Sequence, residues 1–176
     1  EKSSTVSFSS AKKMVFTSKK NNVRLMEAFM FRFHPQHAKV LKIIKNNSIG
    51  KVFSFYGNYS FNLNVLQNNF RLNKKLGGGV LNDVSGYLIY ASRLIFNENP
   101  VAVFCDLEYD DGLDVSGNIY MKYSNKMATC YFSYKSYFQS FYNVCGKNGV
   151  IQVERAFNIH DNMDGVITIK KNDKLK

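Results

Sequence analysis

The chain has 176 residues, 45% of them hydrophobic and 15% aromatic, which is enough to build the packed core of one ordinary domain. No apolar run approaches the roughly 20 residues that a membrane-spanning helix requires. The first ten residues, EKSSTVSFSS, lack both an initiating Met and the apolar core of a signal peptide. These features predict a globular protein without a membrane segment.

The formal net charge of +11 is of the size found in nucleic-acid-binding proteins, but its distribution is different. Five arginines among the 24 basic residues leave 19 lysines, which are scattered in pairs such as Lys12-Lys13 and Lys74-Lys75. There is no Arg-rich stripe and no DNA- or RNA-binding motif. A solvated, lysine-rich surface with a pocket for an anionic ligand is therefore preferred over a polyanion-binding module, which stays open as an alternative.

The three cysteines, Cys105, Cys130 and Cys145, form no CxxC or Cys/His cluster. Each lies inside an apolar or aromatic run, so we expect buried, reduced thiols in a cytoplasmic protein. The sequence has no HxH or HExxH pattern and no convergent set of carboxylates. A metal site is therefore not expected.

The first predicted elements are a helix and a strand. Ser9 or Ser10 is placed to cap a helix over SAKKMVFTSKKNN, residues 10–22, in which apolar residues recur at helical spacing. VRLMEAFMF, residues 23–31, follows as a buried strand. A helix followed at once by a strand is typical of the last αβ unit of a larger parallel sheet.

The middle of the chain continues with further helices, a strand and a loop. HPQHAKVLKIIKNNSIG, residues 34–50, predicts a second helix with its proline in the first turn and its glycine beyond the end. Residues 51–63 alternate in the way of a strand. Residues 64–79 are polar and end in glycines, which indicates a long loop of the kind that is often functional. Residues 81–96 are helical by period, with an apolar stripe of Val84, Leu88, Ala91 and Ile95 spaced four, three and four residues apart.

From Pro100 onward the chain is rich in β-branched and aromatic residues. Five runs indicate strands joined by short turns, and a strand-like alternation near the end, GVITIKK, adds another. Strands with such short connections are antiparallel, so we expect a meander with one face on the helices and the other free for a partner. The expected fold class is α+β: a large, mostly antiparallel open sheet with helices on one face, preceded by one helix–strand unit.

GGGVLNDVSGY, residues 77–87, combines glycines with two polar side chains. Asp83 and Tyr87 are four residues apart on the predicted helix and share one face. The glycines before them let a ligand approach the backbone, and a helix N-terminus favours a ligand oxygen or phosphate. By itself the pattern is more often a capped helix after a flexible turn.

Several blocks of sequence, in their order and spacing, resemble one enzyme family. They are EK at the start, LMEAFMFRFHPQ, SIGKV, NFRLNKKLGGGVLNDVSGY, LEYDDGLDVSGNIYM and YNVCGKNGVIQVERAF. The chain resembles the C-terminal portion of the glucose-fructose oxidoreductase, inositol dehydrogenase and dihydrodiol dehydrogenase family. GLDVSG and YFQSFYNVCGKNGVIQVERAF are most similar to its NDP-hexose 3-ketoreductase branch.

The resemblance implies a Rossmann domain that binds NADP or NAD, followed by an α/β domain whose sheet often forms the subunit interface. Residues 1–29 would be the C-terminal remnant of the Rossmann domain, and residues 30–176 the catalytic, substrate-binding and dimerisation domain. The glycine fingerprint for the cofactor is expected upstream of Glu1. The implied function is reduction of a keto group on a sugar or nucleotide-linked hexose by a homo-oligomer. A non-catalytic family member that serves only in assembly is the alternative.

The resemblance also implies residue roles. Lys2 matches the lysine of the family's Glu-Lys-Pro motif, whose proline is Ser3 here, while Asp83 and Tyr87 match its aspartate and tyrosine. Reduction by a nicotinamide hydride needs a proton for the developing alkoxide, and a tyrosine donates it if a nearby lysine lowers the tyrosine pKa from about 10. Tyr87 is therefore the expected acid, Lys2 its electrostatic partner and Asp83 the substrate-positioning residue.

Further contacts are expected around these residues. The cofactor-binding set, near the end of the last Rossmann strand, comprises Glu1, Lys2, Glu27 and Arg32. The substrate-binding set comprises Asp83, Tyr87, Arg71, Gly78 and His34. Residue chemistry alone leaves three alternatives open. In these, His34 would only order the turn before a proline, Arg32 would pair with a carboxylate inside the protein, and Arg71 would be a solvated side chain.

Overall fold

A computed structural model of the chain describes residues 2–63, 69–159 and 163–171. The α-helices in these ranges are α1 Phe8–Lys20, α2 Pro35–Lys45 and α3 Gly86–Phe96. The strands are β1 Val52–Asn62, β2 Ala102–Asp110, β3 Leu113–Lys122, β4 Met127–Ser133, β5 Lys135–Gly146, β6 Gly149–Val153 and β7 Ile167–Lys171. Within the described residues, these seven strands form one sheet in the order β2-β3-β4-β1-β5-β6-β7.

The N-terminal helix is confirmed, but the strand predicted after it is not formed. Ser7, rather than Ser9 or Ser10, caps α1 by accepting the backbone N–H of Ser10. Residues 23–28 are exposed and without regular structure, so the prediction of a buried strand over VRLMEAFMF is wrong. A strand needs hydrogen bonds from a neighbouring strand, and no strand in the described ranges pairs with this segment.

Both helices predicted for the middle of the chain are confirmed. His34 caps α2, because its ring accepts the backbone N–H of Gln36 at 3.3 Å. The later helix begins as a π-helical segment, Leu81–Ser85, and continues as α3. Its predicted apolar stripe is buried and comprises Val84, Leu88, Ala91 and Ile95.

None of the helices in the described part is long and apolar enough to cross a membrane.

The predicted loop before the glycines contains short helical turns. Two 3-10 helices, Phe70–Leu72 and Lys74–Leu76, are each capped by the asparagine that precedes them. Residues 64–68 lie outside the described ranges. In the described part of the loop, the side chains of Asn69 and Asn73 each accept the backbone N–H of the residue two positions ahead. These hydrogen bonds stabilise the two short helices.

The sheet confirms the α+β prediction and corrects its topology. Five of the six strand pairings in the described ranges are antiparallel, and β1–β4 is parallel. The predicted continuous meander is wrong at one place, because β1 lies between β4 and β5. The β4–β5 connection is the single residue Tyr134, which passes the end of β1, where Leu63 N–H donates to the Tyr134 carbonyl at 2.8 Å. A short connection therefore makes these strands antiparallel without making them neighbours.

The core lies between one face of the sheet and helices α2 and α3, while α1 buries no residue and lies outside it. Phe55, Gly57 and Tyr59 of β1 are on this face and are buried. α3 packs closely over β1, since a Cβ added to Gly57 would lie 2.6 Å from Cδ2 of Leu88. The intervening residue, Tyr56, lies on the opposite side and is exposed, as the alternation of side chains along a strand requires.

We call the side of the sheet away from the helices the open face. One row of it crosses five neighbouring strands, where the strand register aligns Phe104, Tyr120, Thr129, Tyr56 and Asn143. The row is aromatic and polar but uncharged.

The division of the chain at residues 29 and 30 into two domains stays a prediction.

The three thiols differ in burial. All are free, but Cys130 is buried, Cys145 is half-buried and Cys105 is exposed. The prediction of buried thiols is therefore wrong for Cys105. This residue lies on β2, at the edge of the sheet, where nearly every side chain is exposed on both faces.

Candidate active site

The N-terminal lysine and the segment after the glycines form the centre of the site. Lys2 and Asp83 are 81 positions apart, yet Nζ of Lys2 contacts both Oδ1 and the backbone carbonyl of Asp83. Ser3 stands where the family motif has proline. Its hydroxyl donates to the carbonyl of Asn82, and the Lys2–Ser3 peptide bond is cis. The turn that carries Lys2 is thus seated on the π-helical segment Leu81–Ser85.

The carboxylate of Asp83 has two further partners. Nε of Arg71 donates to Oδ2 at 2.9 Å, and the hydroxyl of Tyr134 donates to the same oxygen at 3.0 Å. The Asp83 side chain is only 10% exposed. Burial would raise its pKa, but Lys2, Arg71 and Tyr134 together outweigh burial and hold the pKa of Asp83 below its ordinary value. Asp83 is therefore ionised at neutral pH, with both oxygens engaged.

Tyr87 lies beside this ion pair in an aromatic cage. Its side chain is 5% exposed, and the rings of Phe29 and Tyr59 meet it edge-on, each at 5.2 Å between centroids. Nζ of Lys2 is 4.9 Å from the centroid of the Tyr87 ring. The hydroxyl donates to the sulfur of Met30 at 3.8 Å. One ammonium group therefore contacts both Asp83 and Tyr87.

The glycines before the helix fit against the preceding loop. Gly77 has φ +78°, a left-handed conformation that favours glycine. Gly78 is buried, and a Cβ there would lie 2.5 Å from the carbonyl oxygen of Arg71. That oxygen accepts the N–H of Gly79 at 2.9 Å. The glycines thus bring Arg71 close to Asp83, which gives Gly78 a packing reason; its predicted substrate contact stays a prediction.

Glu27 and Arg32 lie around this centre rather than in it. Oε1 of Glu27 accepts the backbone N–H of Ser4 at 2.8 Å, next to the turn that carries Lys2. The guanidinium carbon of Arg32 lies 5.8 Å from the ring centroid of Tyr90. Their predicted cofactor contacts stay predictions. Glu1, assigned to the same set, lies outside the described residues.

Two cavities adjoin the site. A cavity of about 410 Å³ is lined by residues that include Ser3, Glu27 and Asn82, so it borders the turn that carries Lys2. A second cavity, of about 180 Å³, is lined by residues that include Met30 and His34. Met30, which accepts the hydrogen bond from the Tyr87 hydroxyl, and His34 line the same cavity. His34 is therefore in the neighbourhood of Tyr87.

Sequence reasoning missed two residues that shape the site. Tyr134 binds Asp83, as described above. Oδ2 of Asp114 accepts the backbone N–H of Leu81 at 2.6 Å and so fixes the start of the π-helical segment. Both residues lie in strand-like runs far from the glycines, and no local pattern connects them with Asp83. Only the order of strands in the sheet brings them there.

This arrangement suits proton transfer next to a fixed positive charge. The Lys2 ammonium stabilises negative charge on a neighbouring phenolate, and a tyrosine hydroxyl exchanges a proton with an alkoxide or alcohol. Within residues 2–63, 69–159 and 163–171, no group of three His, Cys, Asp or Glu side chains is arranged to hold a metal ion. The fold and the site together define an α+β domain that presents a lysine, an aspartate and a tyrosine at the start of one helix.

Comparison with known proteins identifies the family. Residues 37–152 match the model of the GFO/IDH/MocA C-terminal domain. The chain belongs to this family, which confirms the resemblance found in its sequence.

Relatives and a solved structure extend the match to most of the chain. Trans-1,2-dihydrobenzene-1,2-diol dehydrogenase of Xenopus tropicalis is 28% identical over 156 residues, which cover 87% of this chain and 47% of the relative. The dTDP-3,4-didehydro-2,6-dideoxy-alpha-D-glucose 3-reductase of Saccharopolyspora spinosa is 27% identical, with 97% and 52% covered. The crystal structure of KijD10, a 3-ketoreductase from Actinomadura kijaniata in complex with NADP and TDP-benzene, has a TM-score of 0.83 at 26% identity, with 93% and 51% covered. The chain spans about half the length of these relatives.

Proposed function

We propose that the protein containing this chain is an NADP-dependent oxidoreductase that reduces a keto group on a sugar or nucleotide-linked hexose. This chain supplies the proton donor and the substrate-binding side of the site. The proposal is based on the contact of Lys2 with both Asp83 and Tyr87. Support comes from relatives named as a dTDP-sugar 3-reductase and a 3-ketoreductase bound to NADP and TDP-benzene.

Tyr87 is the general acid of the proposed reaction. When bound, the nicotinamide supplies a hydride to the carbonyl carbon, and the Tyr87 hydroxyl gives its proton to the carbonyl oxygen. The phenolate left behind is stabilised by the ammonium of Lys2, which lies 4.9 Å from the ring centroid. The aromatic cage around Tyr87 excludes water and so strengthens this attraction. In the oxidative direction Tyr87 takes the proton from the alcohol.

Asp83 has two parts in the proposal. Its Oδ1 anchors Lys2, so the carboxylate sets the position of the ammonium beside Tyr87. A substrate hydroxyl that binds Oδ2 competes with Arg71, whose side chain is 34% exposed and so is the more easily displaced partner. Substrate positioning by Asp83 is therefore linked to release of Arg71, which is then available to a substrate phosphate.

We assign the nicotinamide end of the cofactor to residues around the turn that carries Lys2. Glu27, which lines the 410 Å³ cavity, and Lys2, the neighbour of Ser3 in the same lining, would hold ribose hydroxyls. Arg32 is also assigned to cofactor binding. NADP is preferred over NAD because the KijD10 structure contains it.

The proposed protein is a homo-oligomer joined through the open face. Phe104 and Tyr120 are aligned on this face and both are exposed. The uncharged row of aromatic and polar side chains matches the composition at the centre of protein interfaces, where charged residues are depleted. The same surface favours the second candidate function, a non-catalytic assembly domain.

An assay of the intact protein distinguishes the two functions. The panel consists of nucleotide-linked keto-hexoses with NADPH or NADH and simple aldoses with NADP⁺ or NAD⁺. Replacing the acid by Tyr87→Phe is expected to lower kcat about 10²-fold or more, the usual contribution of general acid catalysis, while nicotinamide binding is retained.

Tyr123→Phe is the matched control, because it removes another buried hydroxyl, which contacts Ser92 at 2.8 Å. It should leave kcat unchanged. Unaltered turnover in Tyr87→Phe would remove the role given to this residue. No nicotinamide-dependent turnover with any substrate, in a protein that still self-associates, would favour the assembly function.

A further inference from the structure

We propose that Tyr134 is a positioning residue of this site, which keeps Asp83 aimed at Lys2 through a hydrogen bond to Oδ2. The role rests on the proposed function, in which the Lys2 ammonium stabilises the phenolate of Tyr87. Neither the family motif nor the local sequence assigns Tyr134 to the site. Its position follows from the fold alone.

The contact is a hydrogen bond between a buried phenol and a carboxylate. The Tyr134 side chain is 4% exposed. Its hydroxyl lies 3.0 Å from Oδ2 of Asp83 and 3.3 Å from the carbonyl oxygen of Gly79. A hydroxyl has one proton to donate, and the shorter contact to the charged acceptor is the stronger of the two. Tyr134 therefore donates mainly to Asp83.

Tyr134 stays protonated over the whole working range of pH. Burial raises its pKa, and the negative charge of Asp83 and the hydrogen bond to it raise the pKa further. The hydrogen bond in turn helps to keep the pKa of Asp83 low. The two groups thus have fixed protonation states, with the proton on the phenol and the charge on the carboxylate.

The backbone around Tyr134 makes this donor rigid. Its N–H donates to the carbonyl of Val115 at 2.8 Å, and its carbonyl accepts the N–H of Leu63 at 2.8 Å. Both bonds hold the one-residue connection between β4 and β5 against neighbouring strands. Arg71, the other donor to Oδ2, comes from a loop and is 34% exposed. When a substrate displaces Arg71, Tyr134 remains to orient the carboxylate.

Removing the hydroxyl tests the proposal without any need for turnover. In Tyr134→Phe, the pKa of Asp83, measured by NMR of the ¹³C-labelled carboxyl group, is expected to be higher than in the wild type. Tyr123→Phe, which removes a buried hydroxyl elsewhere, should leave the Asp83 titration unchanged. In the intact enzyme, Tyr134→Phe should lower kcat about tenfold, in line with a lost hydrogen bond to a charged group.

A second variant covers the case in which Tyr134→Phe does not fold. Incorporation of 3-fluorotyrosine at position 134 keeps the hydroxyl and makes it a stronger donor, so the pKa of Asp83 should fall. An unchanged Asp83 titration in a folded variant would overturn the role of Tyr134. Because the titration is read from the carboxyl group itself, this outcome is distinct from failure of the proposed activity, which the Tyr87→Phe assay reports.

Discussion

His37 shows at the scale of one residue how burial fixes charge. Its Nε2 lies 3.0 Å from the carbonyl oxygen of Ala156, which can only accept, so Nε2 carries the proton. Nδ1 then accepts from the hydroxyl of Tyr142 at 2.9 Å. Burial, together with the charge of His34, lowers the pKa of His37 to about 4 although the bond to Ala156 opposes this. The ring is therefore neutral in the folded protein at neutral pH.

This neutral histidine predicts a loss of stability in mild acid. The unfolded chain binds a proton at His37 below about pH 6.5, whereas the folded chain does so only near pH 4. The stability that the neutral His37 ring gives the folded protein is fully present above pH 6.5. It is lost as pH falls to about 4, which lowers the free energy of unfolding by about 3 kcal/mol in total. Urea unfolding midpoints measured across this range should show the loss in the wild type and a smaller one in His37→Gln. Equal slopes in both proteins would contradict it.

At the scale of elements, the open face is the surface that the fold leaves uncovered. Alternation along each strand puts one set of side chains against the helices and the other set outward. The outward set includes the aromatic residues Phe104, Tyr120 and Tyr56, aligned by strand register. Because exposed aromatic patches of this kind often mark interaction sites, we proposed this face as the site of self-association.

A charge placed in this surface should weaken self-association. Tyr120→Lys puts an ammonium into the uncharged row at the middle of the proposed interface, so we expect at least about a tenfold weaker dimer, equivalent to about 1.4 kcal/mol. Sedimentation equilibrium measures the dissociation constant. Ala38→Lys adds the same charge on the exposed side of α2 and serves as the control. Equal dissociation constants for Tyr120→Lys and the wild type would rule out this face.

The elements that depend on local pattern were predictable. The spacing of Val84, Leu88, Ala91 and Ile95 gave the helix and its buried stripe, and all four are buried. The strands after Pro100 followed from β-branched and aromatic runs between short turns. In both cases the signal lies within about ten neighbouring residues, which is the range over which side-chain periodicity is set.

Elements that depend on distant partners were not predictable. The place of β1 between β4 and β5 is set by hydrogen bonds to strands some 70 to 90 residues later, such as Tyr56 with Thr129 and Asn143. Residues 23–31 have the composition of a buried strand but no partner strand in the described ranges. Composition indicates the capacity to form a strand, while pairing decides whether one forms.

At the scale of the molecule, the site is assembled from distant parts of the chain. Lys2 meets Asp83 across 81 positions, and Tyr134 reaches the same carboxylate from the β4–β5 connection. The resemblance to the family supplied Lys2, Asp83 and Tyr87, because these belong to its motifs. Tyr134 was found only in the structure. The chain spans about half the length of these relatives, and the reaction is therefore proposed for the protein that contains it.

In the proposed mechanism, Lys2 and Tyr87 act as one unit in proton transfer. A double-mutant cycle on kcat/KM of the intact protein, with Lys2→Met, Tyr87→Phe and the double variant, measures the coupling between the two residues. We predict that each single change lowers kcat/KM about 10²-fold or more, and that the double variant is no slower than the slower single variant. Losses that multiply, or a single variant with the wild-type rate, would contradict the claim.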